Sequence, residues 1–294
     1  MDKKTRLLVI INPISGVGKQ KTIEKVFAER LNHEKFDYDI RYTEYAHHAT
    51  LIASDAASQN YDAVIAVGGD GSINDAAAGL IGTGTVLGII PCGSGNGLAR
   101  HMKLPLQPEK ALDVINDFHV EEIDTINVNG HNYVSIAGVG FDAFVAEKFS
   151  HAKNRGFVGY AEIMFREYPL YKPHEYQLII DGKEYRRKSL FISFANSSQF
   201  GFNAAIAPSA SLQDGLIDVC MVEKVPPLHL PLTVELLYAK HFEKSQHVEI
   251  IQAKEVTVLN NQLRWINFDG EALELEPELH FKVNEKSLKV VCHG

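Results

Sequence analysis

The first ~125 residues alternate short apolar runs with segments whose apolar residues recur at helical spacing. The apolar runs predict β-strands, and the intervening segments predict α-helices. The predicted strands are RLLVIIN (6–12), YDIRYT (38–43), DAVIAVGG (62–69) and TVLGIIP (85–91), and the predicted helices span 19–31, 49–58 and 72–81. This alternation is typical of an α/β domain in which helices cover both faces of a parallel sheet.

Beyond Asp124 the pattern changes to strands joined by hairpin turns, with turn dipeptides at Asn129-Gly130 and Asp181-Gly182. The strand-like segments are YQLIID, SLFISFAN, LIDVCMV, VEIIQAKEVTVL, LHFKV and SLKVVC, and they predict a mostly antiparallel domain. Two segments with helical spacing, 141–168 and 228–242, interrupt them. We therefore expect two domains, residues 1–125 and 126–294, with the boundary drawn from this change of period alone.

Composition narrows the functional classes. The chain carries 29 basic and 37 acidic residues, and its net charge of −8 disfavours nucleic acid as a partner. The three cysteines, Cys92, Cys220 and Cys292, lack paired spacing, which favours reduced thiols and a cytoplasmic location. No stretch reaches the ~20 apolar residues of a membrane-spanning helix. We expect a soluble protein, or one that contacts a membrane only from its surface.

Glycine-rich sequences follow three of the predicted strands. They are N-P-I-S-G-V-G (12–18), G-G-D-G (68–71) and P-C-G-S-G-N-G (91–97). Ligands of open α/β sheets bind beyond the carboxyl ends of the strands, so the three loops predict one binding edge. Glycine leaves backbone N–H groups uncovered and a helix N-terminus adds partial positive charge, so we expect a phosphate there.

Asp70 lies at the centre of the second of these loops. A carboxylate beside a phosphate fits if a divalent cation lies between the two anions, or if the carboxylate handles a proton. The plainer alternative is that G-G-D-G is only a tight turn. Pro13 and Gln20 exclude a P-loop, and the glycine spacing in 93–97 departs from the dinucleotide fingerprint.

In order and spacing, a set of motifs resembles the diacylglycerol kinase catalytic family of lipid kinases. The motifs are NPISG (12–16), GGDGSIN (68–74), PCGSGNGLARH (91–101), Asp124, GFDA (140–143), PSASLQDGLIDV (208–219) and DGE (269–271). The resemblance implies an α/β amino-terminal domain like that of NAD kinases and a β-sandwich-like carboxyl-terminal domain, with ATP bound between them. It also implies transfer of the γ-phosphoryl group of ATP to a lipid hydroxyl.

The resemblance further implies which residues bind the nucleotide and act in catalysis. Asp70 is expected to organise Mg²⁺ near the phosphates with Asp124 in support, and Glu271 is expected to be the general base. The residues expected to contact the nucleotide are Asn12, Pro13, Ile14, Ser15, Gly16, Thr43, Gly68, Gly69, Asp70, Gly71, Ser72, Ile73, Asn74 and Ser94.

A second magnesium ion is implied at Asp214, together with the backbone carbonyls of Ser211 and Leu216. It is expected to shape the carboxyl-terminal domain rather than take part in the chemistry. Asp214-Gly215 and Asp269-Gly270 also have a plainer interpretation as turn dipeptides. The two helical segments of this domain are either ordinary core or the lining of a pocket for lipid tails.

The expected substrate is a membrane lipid, most simply diacylglycerol or a related bacterial lipid. Asn96-Gly97 stands where many bacterial members of the family have Asn-Asp, and G-S-G-N-G resembles the sphingosine kinase branch, so a sphingoid base kinase is an alternative. An NAD kinase and a lipid-binding pseudokinase are further alternatives. We expect a location at the inner face of the membrane, with a homodimer left open. The basic residues available for membrane contact are Arg155, Arg186, Arg187 and Lys188.

Overall fold

The structure, a computed structural model, describes residues 3–14, 22–152, 157–259, 265–274 and 276–294. The chain divides into two compact units, Met1–Thr125 with Glu285–Gly294, and Ile126–Asn284. The change of period alone assigns the last ten residues to the second domain. In the structure, residues 285–294 instead belong to the first unit, because Val290 pairs with Leu87 of a strand in that unit.

The first unit is built on a parallel sheet. Its elements are β1 (Thr5–Ile11), α1 (Ile23–Arg30), β2 (Phe36–Tyr42), α2 (His48–Ser58), β3 (Ala63–Gly68), α3 (Asp70–Leu80), β4 (Val86–Pro91), α4 (Gly97–His101), α5 (Pro108–Asp117) and the start of β5 (His119–Val128). The strands pair in the order β2-β1-β3-β4, all parallel. The four strands and three helices predicted here are confirmed. The predicted start of α1 lies outside the described residues.

Burial explains why this sheet is parallel and central. Every residue of β3 and β4 is buried, as in strands covered by helices on both faces. The apolar faces of α1, α2, α3 and α5 supply this cover, and each fully buried Val, Leu or Ile contributes about 1.5–3 kcal/mol. The helix α5 is absent from the predicted elements, although Pro108 at its first turn is a helix-start signal.

The second unit consists mainly of antiparallel strands. Its elements are the end of β5, β6 (His131–Tyr133), β7 (Ile136–Gly140), α6 (Phe141–Ser150), α7 (Phe157–Glu167), β8 (His174–Ile180), β9 (Lys183–Ser189), β10 (Phe191–Ala195), β11 (Gln199–Gly201), β12 (Ala204–Ala205), β13 (Ile217–Val222), α8 (Leu230–Tyr238), β14 (Val248–Ala253), β15 (Glu255–Leu259), β16 (Trp265–Phe268), β17 (Glu271–Glu274) and β18 (Leu279–Cys292), which ends in the first unit. The helical segments 141–168 and 228–242 thus contain α6, α7 and α8.

Two layers of strands enclose the core of the second unit. One sheet has the order β14-β13-β10-β7-β16-β17, and the other layer contains β15 between β8 and the start of β18, with β9 beyond β8. Val139, Phe194 and Val219 of the first layer share one apolar cluster with Val256 and Phe281 of the second. This is a β-sandwich, as the resemblance implies.

Three Asx-Gly dipeptides form the tight turns of hairpins. Asn129-Gly130, Asp181-Gly182 and Asp269-Gly270 all have positive φ at both residues, at 48° and 89°, 46° and 77°, and 47° and 97°. Positive φ at both central residues is the signature of a type I′ turn, whose twist matches that of the flanking strands. The predicted hairpins at 129–130 and 181–182 are confirmed.

Two strand predictions differ from the structure. VEIIQAKEVTVL forms two strands in different layers, β14 and β15, because Lys254 turns the chain at a corner. The carboxylate of Asp181 holds that corner by accepting the N–H groups of Lys254 and Glu255 at 3.0 and 3.1 Å. LHFKV and SLKVVC, conversely, form the single strand β18. Within the described part of the chain, no helix combines the length and hydropathy required to cross a bilayer.

Candidate active site

The loops that follow the parallel strands leave the sheet of the first unit at one edge, as the parallel topology predicts. The N–H of Thr43, after β2, donates to the carbonyl of Ile11 at 3.0 Å, and the N–H of Asn12, after β1, donates to that of Val67 at 3.2 Å. After β4, the N–H of Cys92 donates to the carbonyl of Gly68 at 2.7 Å. Each loop is therefore tied to the neighbouring strand before it leaves the sheet.

The second and third glycine-rich loops contact each other through their backbones. A Cβ atom on Gly93 would lie 2.6 Å from the Cα of Gly69 and 2.9 Å from Oδ1 of Asn96. No side chain fits there without displacing the backbone, so the close approach requires glycine at 93. Asn96 itself adopts φ of +53°, a left-handed conformation that asparagine tolerates better than most residues.

Asp70 joins these two loops. Its Oδ2 accepts the N–H of Asn96 at 2.8 Å and its Oδ1 accepts the N–H of Gly97 at 2.7 Å, at the point where α4 begins. Burial raises the pKa of Asp70, while these two N–H donors and the charge of Arg100 act in the opposite direction. One carboxylate thus holds the third loop, which glycine at 93 allows to approach the second loop closely.

Sequence reasoning gave no role to Asn96 or Arg100. Nε of Arg100 donates to the carbonyl of Gly95 at 2.9 Å, which fixes the third loop from the helix that follows it. Oδ1 of Asn96 is buried and has no hydrogen-bond partner among the described residues. Both residues lie inside the motif PCGSGNGLARH, and this motif is the feature of the sequence that could have identified them.

The helix α3 supplies the positive end of a helix dipole at this edge. It begins at Asp70, directly after the extended residue Gly69, and runs for 11 residues. The first N–H groups of a helix have no partner within it, so they face the space beyond the strand ends. The N–H of Ile73 donates to the carbonyl of Gly69 at 3.0 Å and closes the first turn of the helix.

The other residues expected at the nucleotide differ in exposure. Nδ2 of Asn12 donates to Oγ of Ser72 at 2.9 Å, linking the first loop to α3. Pro13 is exposed and Ile14 is 91% exposed, whereas the side chain of Ile73 is buried in the core. Ser94 is exposed; Gly68 is buried; and Thr43, Gly71 and Asn74 are partly buried. Ser15 and Gly16 lie outside the described residues.

Asp124 is buried in β5. Its Oδ1 accepts the backbone N–H of Lys286 at 2.7 Å, and the neighbouring Thr125 shares a hydrogen bond of 2.8 Å with Ser287. Both contacts lie within the first unit. They fasten the terminal part of β18 to β5.

Glu271 stands at the start of β17, immediately after the type I′ turn Asp269-Gly270. The Asp269 carboxylate accepts the N–H groups of Ile136 at 2.8 Å and Ser135 at 3.3 Å, which fixes the turn on the start of β7. Glu271 pairs with Phe268 across the hairpin, and its side chain is exposed. The dipeptide is therefore a turn, and the turn presents a carboxylate.

The segment 211–216 forms a tight loop before β13. Oδ1 of Asp214 accepts the N–H of Leu216 at 3.1 Å, and Oγ of Ser211 accepts the N–H of Gln213 at 3.2 Å. Burial, followed by the negative charge of Asp214, raises the pKa of Asp218 to about 6, against a hydrogen bond from Gln252 that lowers it. Two carboxylates thus lie close enough to repel each other.

The glycine-rich sheet edge is typical of a nucleotide-binding α/β domain, and it is followed in the chain by a β-sandwich. Comparison with family models identifies both domains. Residues 6–128 match the model of the diacylglycerol kinase catalytic domain, and residues 135–292 match that of the YegS C-terminal NAD kinase beta sandwich-like domain. The chain is a kinase. It belongs to the diacylglycerol kinase catalytic family.

Relatives and solved structures agree with this assignment. The chain is 31% identical over 226 residues to a diacylglycerol kinase of Mycobacterium tuberculosis, covering 74% of this chain and 73% of that protein. It is 29% identical over 272 residues to one of Bacillus subtilis, covering 90% and 89%. A diacylglycerol kinase structure from Bacillus anthracis matches with a TM-score of 0.80 at 21% identity, covering 100% and 99%. An NAD kinase from Archaeoglobus fulgidus in complex with ATP matches with a TM-score of 0.54 at 13% identity, covering 97% and 93%, so the two share a fold.

Proposed function

We propose that the protein transfers the γ-phosphoryl group of ATP to a hydroxyl group of a membrane lipid. Diacylglycerol or a related lipid is the proposed acceptor, and a sphingoid base is the second candidate because of Gly97. The observation that carries the proposal is the joining of two glycine-rich loops by Asp70 at a parallel sheet edge, in a chain of this family. Phosphoryl transfer needs mainly positioning and charge stabilisation, which such an edge supplies.

The nucleotide phosphates would lie against the backbone N–H groups at the start of α3 and in the neighbouring loops. Ser72 and Asn74 add polar side chains on the first turns of that helix, and Asn12 reaches it from the first loop. The guanidinium of Arg100 adds a positive charge near Asp70. Backbone donors of this kind bind phosphate without adding negative charge of their own.

The oxygen atoms at this edge fit Mg²⁺, which prefers oxygen ligands. Asp70 offers a carboxylate that keeps lone pairs beyond its two N–H contacts, and Asn96 offers a buried Oδ1 without a partner among the described residues. Magnesium bound by these residues would neutralise charge on the phosphates. Asp124 would support this arrangement through β5.

Glu271 is the proposed general base. Its exposed carboxylate follows a turn that is fixed by hydrogen bonds at Asp269 and at Gly270. It would accept the proton of the lipid hydroxyl as that oxygen attacks phosphorus. Asp214, with the carbonyls of Ser211 and Leu216, is the proposed second magnesium site, where a cation would relieve the repulsion between Asp214 and Asp218.

The second unit carries an exposed apolar surface suited to a lipid bilayer. Five large apolar side chains are each at least 60% exposed in this part of the chain: Val158 and Phe165 on α7, Leu170 just after α7, Leu228 just before α8, and Leu232 on α8. The end of α7 is tied to the segment before α8, because the hydroxyl of Tyr168 donates to the carbonyl of Val225 at 2.9 Å. We assign peripheral membrane contact to this apolar surface.

The basic residues proposed from sequence contribute unequally to membrane contact. Nε and Nη2 of Arg187 donate to both carboxylate oxygens of Glu249, at 2.6 and 3.0 Å, so its charge is paired. Arg186 and Lys188 are exposed two residues apart on β9 and share one face. Each would add about 1 kcal/mol near an anionic bilayer. Arg155 lies outside the described residues.

Glu271→Gln tests the proposed function. The amide keeps the size of the side chain and removes the base, so turnover on lipid vesicles should fall by ~10²- to 10⁴-fold while ATP affinity is unchanged. The matched control is Glu274→Gln, a second exposed glutamate on β17, which should retain the wild-type rate. Diacylglycerol and a sphingoid base are assayed in parallel. Near wild-type turnover in Glu271→Gln would remove Glu271 as the base.

A further inference from the structure

A buried polar cluster lies beneath α6 in the second unit. Asp142, 9% exposed, accepts a hydrogen bond of 2.8 Å at Oδ2 from Nδ2 of Asn267, which is 5% exposed. The hydroxyl of Tyr160, on α7, donates to Oδ1 of the same carboxylate at 3.3 Å. The nucleotide edge and the proposed base include none of these three residues.

The sequence makes room for this carboxylate with a glycine. Gly138 of β7 pairs with Asn267 of β16, and a Cβ atom on Gly138 would run into Oδ2 of Asp142. Asp142 therefore lies directly over the sheet, in the first turn of α6, where the helix dipole favours a negative charge. Burial alone raises the pKa of Asp142, and its hydrogen bonds to Asn267 and Tyr160 act against that rise.

The other end of the Asn267 amide reaches the turn that precedes Glu271. Oδ1 of Asn267 accepts the N–H of Gly270 at 2.9 Å. A backbone N–H can only donate, so the amide must direct its oxygen to Gly270 and its NH2 group to Asp142. One side chain thus connects a residue 125 positions earlier in the chain to the turn.

We propose that Asn267 is a positioning residue for Glu271, and that Asp142 holds Asn267 in the required orientation. The inference rests on the proposed function, in which Glu271 is the base. Asp269 is anchored by Ser135 and Ile136, but Gly270, the residue bonded to Glu271, is anchored by Asn267. A general base must lie within hydrogen-bond reach of its proton, and displacement by about 1 Å can cost ~10²-fold in rate.

The expected signature is a fall in kcat without a change in ATP affinity. Asn267→Ala removes the acceptor of the Gly270 N–H, so kcat should fall by ~10- to 100-fold, with KM for the lipid nearly constant. Asp142→Asn keeps an oxygen that accepts from Asn267, so it should stay within about threefold of wild type. Tyr160→Phe is the matched control, because it removes only the 3.3 Å hydrogen bond to the same carboxylate.

A double-mutant cycle tests whether Asn267 acts through Glu271. Asn267→Ala is measured in the wild type and in Glu271→Gln, with kcat, lipid KM, ATP affinity and melting temperature recorded for each. The proposal predicts the full loss in the wild-type background and less than about twofold in Glu271→Gln. Asp142→Ala, which leaves the bond between Asn267 and Gly270 in place, repeats the cycle if Asn267→Ala does not fold, and should show a smaller loss with the same dependence.

The outcomes separate this inference from the proposed function. Equal losses in both backgrounds, or a wild-type kcat in Asn267→Ala, would overturn the positioning role and leave Glu271 as the base. A wild-type kcat in Glu271→Gln would overturn the base itself, and the positioning role with it.

Discussion

The sheet edge of the first unit and the turn of the second hold their carboxylates by different means. At the sheet edge, Asp70 receives backbone N–H groups from a loop about 26 residues away, and glycines allow the close approach. At the turn, a side-chain amide is held by a carboxylate 125 residues away. Contacts between backbones require glycines close together in the sequence, which can be recognised. Contacts between side chains that are distant in the sequence have no such local pattern.

The largest effect should follow from Asp70→Asn, which attacks the backbone-built site. The amide NH2 would face a backbone N–H of Asn96 or Gly97, and the charge proposed to hold Mg²⁺ would be lost. We expect the rate of phosphoryl transfer to fall by ~10² or more with the fold retained. Asp55→Asn, at an exposed carboxylate on α2, is the control. Retention of more than about a tenth of the rate would argue against this role.

Gly93→Ala tests the close approach of the second and third glycine-rich loops without removing a charge. The added Cβ would lie 2.6 Å from the Cα of Gly69, so one of the loops must move. ATP affinity should fall by about tenfold or more, and the free energy of unfolding by ~1–3 kcal/mol. Titration calorimetry and denaturant unfolding measure the two quantities. Unchanged ATP affinity would show that the loop spacing is not needed for the nucleotide.

Asp214→Ala tests the proposed metal site of the second unit and leaves the turn at Asp269-Gly270 unchanged. A cation that binds only the folded state stabilises it, by ~2.7 kcal/mol when its concentration is a hundred times its dissociation constant. Excess Mg²⁺ should therefore raise the melting temperature of the wild type by more than that of this variant, which keeps the proposed magnesium site at Asp70. An equal shift in both proteins would exclude the proposed metal site at Asp214.

A further prediction, which concerns stability and not the reaction rate, is the pH dependence of stability at Asp218, measured in EDTA. Its native pKa of about 6 lies above the ordinary value of 3.8, so the native state binds the proton more tightly than the unfolded chain. The contribution to stability is full below pH ~4 and is lost as pH rises to about 6, at ~1.4 kcal/mol per pKa unit. Asp218→Asn should flatten this part of the stability profile. A profile identical to that of the wild type would contradict the shift.

Sequence alone predicted most of the fold for definite physical reasons. Continuous apolar runs such as those of β3 and β4 occur where helices cover both faces of a sheet, and an Asx-Gly dipeptide between two strands favours the type I′ turn. The corner at Lys254 escaped prediction because a strand that changes sheets keeps its apolar pattern. Residues 285–294 belong to the first unit because they pair with one of its strands, and local periodicity carries no information about such pairing.

The candidate site was predictable only in part. Glycines marked the loops around Asp70, but the contacts of its two oxygens depend on how β3 and β4 align. Asn267 looks like an ordinary strand residue, since its hydrogen-bonding atoms acquire a role only when α6 places Asp142 above Gly138. The motif GFDA contains Asp142 and the motif DGE contains Gly270, but neither motif shows that Asn267 joins these two residues.

Lipid phosphorylation is tested by identifying the product formed from ATP labelled in its γ-phosphoryl group. The purified protein is incubated with Mg²⁺ and a total bacterial lipid extract, with NAD supplied in a parallel reaction. We expect the label in a lipid whose hydroxyl has become a phosphate monoester, and we expect Glu271→Gln to abolish this labelling. Label in NADP, or consumption of ATP without any labelled lipid, would contradict the account.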